Sequence, residues 1–350
     1  MASIKVAFWN LENLFDTTVS EIAADLKFTP ENGWDDAAFN AKLTNLAQII
    51  NLMHDGQGPD LLGLCEIENA SVARQLIAEI DRPDLELAHI ESPDIRGIDC
   101  SLIFSREVFE LAGDPVGHLV HLRFPTRDIF EVPLRVLENG AELMVLVNHW
   151  PSRSRGRVES EAFRVSVASQ CGRIIDGMLK FSRGEYGAMP DTQATLETLN
   201  QRWNRNLLLM GDFNDEPFNR SVLEELKASN GVDKLEELIK KSRRRKTPTV
   251  ASYLKRQAYL FNGMWPILGR QDEGTFYFSQ STNTMNVLDQ FILSRGLFFE
   301  EQDLRMDLDS VKVFTPDLMT TPSGRPRAFS RKTHRGFSDH FAIEAVIETL

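Results

Sequence analysis

Several features are scarce or missing in this sequence of 350 residues, and each absence narrows the class of protein. No stretch approaches the roughly 18 consecutive apolar residues that a membrane-spanning helix needs. The first residues, MASIKVAFWNLENLF, lack the basic start, long apolar middle and cleavage site of a signal peptide. Only three cysteines occur, Cys65, Cys100 and Cys171, without the spacing of a disulfide framework or a zinc knuckle. We therefore expect an intracellular, cytoplasmic protein whose cysteines are core thiols.

Positive charge is also scarce, since 39 Lys and Arg face 51 Asp and Glu and leave a net charge of −12. This balance argues against a protein that coats nucleic acid through general electrostatic attraction. It is compatible with an enzyme that has a local basic rim. Two basic segments are candidates, SRRRK at 242–246 and GRPRAFSRKTHR at 324–335, and each is either such a rim or a solvated loop.

The apolar residues, 42% of the chain, fall into short runs that are typical of strands. These runs lie at 4–9, 61–66, 101–104, 142–148, 207–211, 274–278, 287–293 and 341–347. Two amphipathic helices are predicted between them, one from Phe39 to Met53 with Asp35 or Asp36 as its N-cap, and one from Phe163 to Met178. Strands that alternate with helices predict a layered α/β fold. We expect a single domain over 1–350, with surface excursions near 183–205 and 242–273.

Polar side chains follow four of the predicted strands at the point where each strand ends. VAFWN ends on Asn10, LLGLCE ends on Glu66, and LMVLVNH ends on His149. LLLMGDFN ends on Asp212 and Asn214, which point to the same side because alternate residues of a strand share a face. The next two residues, 215 and 216, are assigned to the turn that follows. The spacing predicts one shared site at the ends of these strands.

Two further segments place charged residues differently. Asp289 lies inside the apolar run NVLDQFILS, where an unpaired carboxylate costs several kcal/mol, so it needs a partner such as a histidine. Asp339 and His340 in FSDHFAIEAVI stand at the start of a predicted strand instead of its end. If they join the same site, this last strand runs antiparallel to the strand that ends on Asp212. Mixed or antiparallel sheets are therefore expected, not a doubly wound parallel fold.

Oxygen-bearing side chains dominate this set, and they are the ligands that Mg²⁺, Mn²⁺ or Ca²⁺ prefers. Close Cys and His spacing, which would favour zinc, is missing. A divalent ion with histidines nearby suits the attack of water on a phosphate ester, because the ion neutralises charge on the phosphoryl oxygens. Neither a GxSxG stretch nor a GxxxxGK stretch is present, so a serine hydrolase and a P-loop enzyme are not indicated.

Six motifs in order, WNLEN, LCEIEN, VNHWPS, GDFND, VLDQFILS and FSDHFA, resemble those of the endonuclease/exonuclease/phosphatase family, the deoxyribonuclease I-like superfamily. RGIDCSLIF at 96–104 also resembles a site-lining strand of bacterial members. The similarity extends from residue 5 to residue 346. It implies a four-layer α/β sandwich, in which two mixed β-sheets pack face to face with helices on the outer faces.

The resemblance also implies roles for individual residues. Glu66 would be the principal metal ligand, with Asn10 beside it and Asp339 completing the metal side. His340 would contact the scissile phosphate as a base or a stabiliser of the transition state, and Asp289 would orient it.

The remaining roles concern water and phosphate. Asp212 would position or deprotonate the attacking water, and Asn214 would hold a phosphate oxygen or a second ion. His149 matches an additional histidine of the deoxyribonuclease, sphingomyelinase and inositol phosphatase branches. Arginine binds phosphate in a bidentate manner, and three arginines are candidates for substrate phosphate, namely Arg96, Arg153 and Arg155.

These observations favour a divalent-metal-dependent phosphodiesterase, an endonuclease on DNA or RNA, with nucleic acid as its substrate. A phosphatase or phosphodiesterase for inositol phosphates or lipid head groups is the alternative, and a non-catalytic binding protein that kept the fold is a third. The sequence leaves open which ester is cut, endo or exo polarity, one or two ions, and the oligomeric state.

Overall fold

The computed structural model describes residues 3–20, 22, 25–154, 156–190, 192–269, 273–278 and 284–350. The strands in these ranges are β1 (Ser3–Leu14), β2 (Leu61–Ile67), β3 (Leu85–His89), β4 (Asp99–Ser105), β5 (Phe109–Leu111), β6 (Val116–His118), β7 (Ile129–Val136), β8 (Glu142–His149), β9 (Leu207–Asp212), β10 (Ala228–Ser229), β11 (Leu260–Asn262), β12 (Phe276–Phe278), β13 (Thr284–Asn286), β14 (Asp289–Leu293), β15 (Leu304–Phe314) and β16 (Ala342–Thr349). The α-helices are α1 (Asp36–Gly56), α2 (Ala70–Glu79), α3 (Glu161–Leu179), α4 (Arg183–Ala188), α5 (Leu196–Trp203), α6 (Val232–Leu235), α7 (Val250–Leu254) and α8 (Arg295–Phe299).

The strands form two large sheets and a separate β12-β13 hairpin. The first sheet has the order β15-β16-β1-β2-β4-β3, and the second has the order β10-β11-β14-β9-β8-β7-β5, with β6 beside β7. In the first sheet β1 runs parallel to β2 and antiparallel to β16. In the second sheet β9 runs parallel to β8 and antiparallel to β14. Both sheets are therefore mixed, as the position of the C-terminal strand predicted.

The largest hydrophobic core lies between the two sheets. Val6 and Phe8 of β1 meet Val145 of β8, Met210 of β9 and Phe291 of β14 there, and all five are fully buried. A second core lies under α1 and α2 on the outer face of the first sheet, and a third lies under α3 on the outer face of the second. The order helix, sheet, sheet, helix confirms the predicted four-layer α/β sandwich.

Gly63 of β2 lies against Met210 of the opposite sheet. A Cβ atom added at this position would lie 2.3 Å from Sδ of Met210 in β9. The missing side chain therefore leaves room for the methionine of the opposite sheet. Because protein interiors are close-packed, this contact fixes the local distance between the sheets.

Both predicted amphipathic helices are present. The Asp35 side chain accepts a hydrogen bond of 2.9 Å from the backbone N–H of Ala38, so Asp35 is the N-cap of α1. The face of α1 that includes Phe39, Leu43 and Leu46 is buried against the first sheet. The periodicity of the apolar residues thus predicted both the position and the buried face of this helix.

The segments 183–205 and 242–273, which were predicted as surface excursions, contain short helices and one short strand among their described residues. Tyr186 of α4, Trp203 of α5 and Tyr253 of α7 share a small buried cluster, so the segments 183–205 and 242–273 pack on each other. Within the second segment, β11 pairs with β14 and belongs to the main sheet. This three-residue strand is followed at once by Gly263 and then by Pro266, which hid it in the sequence.

Seven described strands of the main sheets were not predicted, namely β3, β5, β6, β7, β10, β11 and β15, and the longest of them are β7 and β15. The β7 sequence IFEVPLRV contains Pro133, and proline has a low strand propensity. In the structure Pro133 nevertheless lies within β7 and pairs with Met144 of β8. In β15, polar residues alternate with apolar ones, and the pairing with β16 is interrupted between Asp307 and Lys312. Among the described residues, no helix has the length and apolar character to cross a membrane.

A buried ionic network closes the first sheet at the end opposite to the predicted site. Arg82 donates from Nε and Nη2 to the two carboxylate oxygens of Asp84, at 2.8 and 2.7 Å. The Ser105 hydroxyl donates to Asp84, and Arg82 also pairs with Asp60. The hydrogen bonds from Arg82 hold the pKa of Asp84 well below its usual range.

We predict that Asp84→Asn lowers the free energy of unfolding by about 2 kcal/mol at pH 7, because hydrogen bonds to a charged group are lost. A carboxyl whose pKa is lower in the folded state stabilises the protein above its unfolded pKa of about 4, and the effect is lost as the pH falls further. Denaturant unfolding at pH 7 and at decreasing pH should therefore show that the difference in the free energy of unfolding between parent and variant becomes smaller as the pH falls. The matched control is the exposed substitution Asp81→Asn. A difference in the free energy of unfolding that does not depend on pH would contradict a lowered pKa of Asp84.

Candidate active site

The site continues the inter-sheet core to one edge of the sandwich. In the second sheet, every second residue of β8, β9 and β14 points towards the first sheet, and these inward positions are Val145 and Val147, Leu208 and Met210, and Leu293 and Phe291. The next inward positions are His149, Asp212 and Asp289. They lie in one row across the sheet, since His149 pairs in register with Asp212 and Asp212 with Asp289. The strand alternation that buries the core therefore also brings the polar residues together.

The first sheet contributes its residues from β-bulges. Asn10 of β1 pairs with Cys65 of β2, but the next pair is Leu14 with Ile67, so the register shifts at the end of both strands. Glu66 is the extra residue in β2 and has a positive φ of 63°. In β1, Glu12 also has a positive φ, of 54°. Such conformations are costly for residues other than glycine and are often found at functional sites, where bulges redirect side chains.

His340 and Asp289 form the central pair of the site. Nδ1 of His340 and Oδ2 of Asp289 are 2.8 Å apart, which provides the histidine partner that the sequence demanded for this carboxylate. Burial alone lowers the pKa of His340, but Asp289, Asp212 and Asp339 outweigh it, so the pKa lies well above its usual value. The Phe276 ring lies 4.6 Å from the His340 ring and covers it. The imidazole is therefore held in one orientation and carries a positive charge.

Asp212 lies at the centre of the site and receives contacts from both sheets. The side-chain amide of Asn10 donates to its Oδ2 at 3.1 Å, and the backbone N–H of Asn214 donates to its Oδ1 at 2.9 Å. Nε2 of His340 is 3.9 Å from Oδ2 of Asp212. Burial raises the pKa of Asp212 to about 7, although His340 opposes this rise. The carboxylate is thus held on one side and directed at the His340 imidazole on the other.

His149 connects Asp212 with Glu66. Its Nε2 lies 3.6 Å from Oε1 of Glu66 and 3.8 Å from Oδ2 of Asp212. Burial lowers the pKa of His149 well below its usual value, and the positive charges of Arg127, Arg96 and His340 lower it further. We therefore describe His149 as a neutral hydrogen-bonding group beside two carboxylates.

The edge near Glu66 has an excess of negative charge that fits a divalent cation. Burial raises the pKa of Glu12 to about 7, and the neighbouring charges of Asp339 and Glu66 add to the rise. Burial also raises the pKa of Asp339, with a further contribution from Glu66, although His340 and Lys42 oppose it. Three carboxylates thus repel one another beside one buried lysine. Oxygen donors with unbalanced charge are the environment that a hard divalent ion prefers.

The predicted phosphate-binding arginines differ in their placement. Arg96 lies at the site, where its Nη2 donates to Oδ1 of Asn13 at 2.6 Å and is 3.8 Å from Glu66. Arg155 lies outside the described residues. Arg153 does not present its guanidinium to a substrate, because the residue is only 4% exposed and its donors contact other protein groups. These contacts are the Asn214 carbonyl, Asp215, Asn219 and Asn286.

The placement of Arg153 corrects one expectation. Asp215 lies in the turn after β9, and it is buried and pairs with Arg153 at 3.2 Å and with Arg164 at 2.8 Å. Arg153 also donates to the carbonyl of Asn214 at 2.6 Å and so holds the turn that follows β9. The sequence PSRSRGR showed several arginines close together. It did not show that one of them, Arg153, would pair with the buried Asp215. Arg153 therefore positions the loop of Asn214 instead of binding substrate phosphate.

Two further residues that support the site were missed. Arg127 pairs with Asp94 at 3.1 Å and donates to the carbonyls of His149 and Trp150, so it fixes the end of β8. Lys42 of α1 is 2% exposed and donates from Nζ to the Glu12 carbonyl. Its sequence signal was its position beside the apolar face of α1, where a lysine needs a buried partner.

A cavity of about 210 Å³ lies beside the site. Arg96, Arg127, Pro151 and Ser152 form the wall towards the site, and Phe124 and Phe163 form the far wall. The two phenylalanine rings pack edge to face at 5.2 Å. The cavity therefore combines an apolar wall with an arginine near Glu66.

We predict that Arg153→Ala lowers the free energy of unfolding by about 3 to 5 kcal/mol, because it leaves Asp215 buried with one partner fewer. Thermal unfolding of the variant, next to Arg157→Ala as the exposed control from the same loop, measures this loss. A variant that unfolds at the parental temperature and shows only a raised KM would support phosphate binding and contradict our assignment.

The sequence and the fold were compared with known proteins. A profile of the Endonuclease/Exonuclease/phosphatase family matches residues 5–186 and 187–349. The search of functionally curated proteins gives no match. Similar solved structures include an endonuclease/exonuclease/phosphatase family protein from Bacteroides thetaiotaomicron, at 13% identity and a TM-score of 0.58, with 100% of this chain and 99% of that chain covered.

Two other similar structures have more specific descriptions. A mannosyl-6-phosphatase from Bacteroides thetaiotaomicron is 13% identical with a TM-score of 0.56, and the match covers 98% of this chain and 99% of that chain. D. rerio TDP2, solved with a single-strand DNA product, is 12% identical with a TM-score of 0.55, and the match covers 100% of both chains. At this level of identity the structures agree in fold only. The family profile covers almost the whole sequence, and the chain therefore belongs to the endonuclease/exonuclease/phosphatase family of metal-dependent phosphoric ester hydrolases.

Proposed function

We propose that the protein is a phosphodiesterase that cleaves DNA or RNA as an endonuclease, with Mg²⁺, or Mn²⁺ or Ca²⁺ in its place. The observation that carries this proposal is the His340–Asp289 pair at 2.8 Å, which faces Asp212 across the edge of the sandwich. A fixed cationic imidazole beside a second carboxylate can bind a phosphate oxygen on one side and a water on the other.

Each residue has a role that follows from its contacts. Asp212 accepts a proton from the attacking water, and Asn10 and Asn214 hold its carboxylate in place. His340 donates a hydrogen bond from Nε2 to a nonbridging phosphate oxygen, while Asp289 fixes its orientation through Nδ1. His149 donates to a second phosphate oxygen from its position beside Glu66.

The metal side would consist of Glu66, Asn10 and Asp339, with Glu12 adding negative charge. A divalent ion bound there would neutralise the charge that develops on the phosphoryl oxygens and the leaving group. The positive charge of Lys42 interacts with the carboxylates of Glu12 and Asp339. It therefore reduces the repulsion between them before an ion binds.

Two features favour a nucleic acid over a small substrate. The basic segment 324–335 leads directly to Asp339, and its exposed cations are Arg325, Arg327, Lys332 and Arg335. This segment packs against the site, since the backbone N–H of Phe329 donates to Glu12 at 3.0 Å. The cavity with Phe124 and Phe163 offers an apolar wall for a base next to the phosphate site. A polyanion with aromatic bases complements both features.

The test is a cleavage screen with plasmid DNA, single-stranded RNA, inositol phosphates, sphingomyelin and a sugar phosphate in the presence of Mg²⁺. We expect cleavage of nucleic acid that EDTA abolishes and that His340→Ala reduces by a factor of roughly 10³ or more, since the variant loses a group that acts in the transition state. His118→Ala removes a histidine that is also paired with a carboxylate, Glu131, and is the matched control with parental activity.

The outcomes of the screen separate the alternatives. Hydrolysis of a sugar, inositol or lipid phosphate without cleavage of either nucleic acid would overturn the proposed substrate. The assignment of the site residues would stand. Full activity of His340→Ala on every substrate would overturn the assignment of the site itself.

We also predict that Arg96→Ala weakens substrate binding. Its guanidinium lies beside Glu66 and is about 39% exposed, so it is available to a substrate phosphate. KM for nucleic acid should rise. The slope of log KM against log salt concentration should become shallower by about the amount that one phosphate contact contributes. Arg106→Ala, an exposed arginine at the other end of β4, is the control. An unchanged salt dependence in Arg96→Ala would exclude a phosphate contact for this residue.

A further inference from the structure

We propose that His89, Glu91 and Asp99 form a second metal site that binds Zn²⁺ and is separate from the catalytic metal side. His89 ends β3 and Asp99 begins β4, and these strands are antiparallel neighbours at the border of the first sheet. Glu91 follows in the connecting loop. The three residues are close in space only because the β3–β4 hairpin folds back on itself.

The distances fit four-coordinate zinc. Nε2 of His89 lies 3.2 Å from Oε1 of Glu91 and 3.6 Å from Oδ2 of Asp99. One donor atom from each of the three residues lies within 4.8 Å of the other two. In a tetrahedral zinc site with bonds of about 2.0 to 2.1 Å, ligand atoms are about 3.3 Å apart. A zinc ion among these atoms would need only small shifts of the side chains, with water as its fourth ligand.

The surroundings of the three side chains already orient them as ligands. Nδ1 of His89 lies 2.8 Å from the hydroxyl of Ser101, so Nε2 is the ring nitrogen that faces the two carboxyl groups. Oδ1 of Asp99 accepts a hydrogen bond of 2.8 Å from the backbone N–H of Ser92. Its other oxygen, Oδ2, is the one that faces His89. Both buried side chains thus have one atom anchored and the second directed at the same point.

Asp99 is a buried carboxyl group, only 2% exposed, and its Oδ2 faces Nε2 of His89. No lysine or arginine of the described ranges forms an ion pair with Asp99. A buried carboxyl group that faces an imidazole nitrogen, with a second carboxylate beside that nitrogen, is a suitable site for a cation.

The site has a structural role because of the loop that it closes. Residues 90–98 connect β3 with β4, and the proposed ligands stand at the base of this loop. Its tip reaches the active site, where Arg96 contacts Asn13 and Asp94 pairs with Arg127, the residue that holds the end of β8. A zinc ion at the base would therefore fix the loop that brings Arg96 to Glu66.

The test uses the full chain carrying Glu66→Gln and Asp339→Asn, so that the catalytic metal side is weakened, and titrates it with Co²⁺. We expect one equivalent of Co²⁺ with the intense visible bands of a four-coordinate site, and displacement of these bands by Zn²⁺. His89→Ala and Glu91→Gln should each weaken binding at least about tenfold, since each loses a ligand. His118→Ala, with its single carboxylate partner, should bind like the parent.

Glu91 is exposed, so Glu91→Gln tests the ligand without disturbing the core. The same titration of the unsubstituted chain should give the same bands, because six-coordinate Co²⁺ on oxygen ligands absorbs only weakly. An absence of the four-coordinate bands, or equal affinities of parent, His89→Ala and Glu91→Gln, would overturn the proposal.

Discussion

The pairing of buried charges across the gap between the two sheets is the interaction on which the site depends. Asp289 of the second sheet binds His340, which precedes β16 of the first sheet, at 2.8 Å. Asn10 of the first sheet binds Asp212 of the second at 3.1 Å. A buried carboxylate without such a partner costs several kcal/mol. Both contacts therefore stabilise the closed edge of the sandwich and bring together the residues that we propose bind the phosphate.

The first sheet meets this constraint with irregular backbone. A regular β2 would direct the residues after Cys65 alternately into the core and away from it. The bulge at Glu66 breaks this alternation and brings its carboxylate towards His149 of the second sheet. Glu12, Glu66 and Asn214 all have positive φ angles, so part of the backbone strain lies in residues of the site.

The sequence predicted the parts that follow from periodicity and from strand ends. The layered α/β fold, the cap of α1 at Asp35 or Asp36 and a histidine partner for Asp289 were expected, because alternation and the cost of burial are local properties. The four-layer sandwich was implied by the resemblance to the family. Arg153 was misassigned, and Arg127 and Lys42 were missed, because their partners lie at least 22 residues away in the sequence. The zinc proposal also depends on such a contact, since only the β3–β4 pairing brings His89 to Asp99.

The close contact of Gly63 with Met210 links the core to the chemistry. Glu66 follows three residues after Gly63 on one sheet, and Asp212 follows two residues after Met210 on the other. The packing of the core at this point therefore affects the distance between Glu66 and Asp212. Repacking of the interior is a route to an altered site geometry that leaves every proposed ligand unchanged.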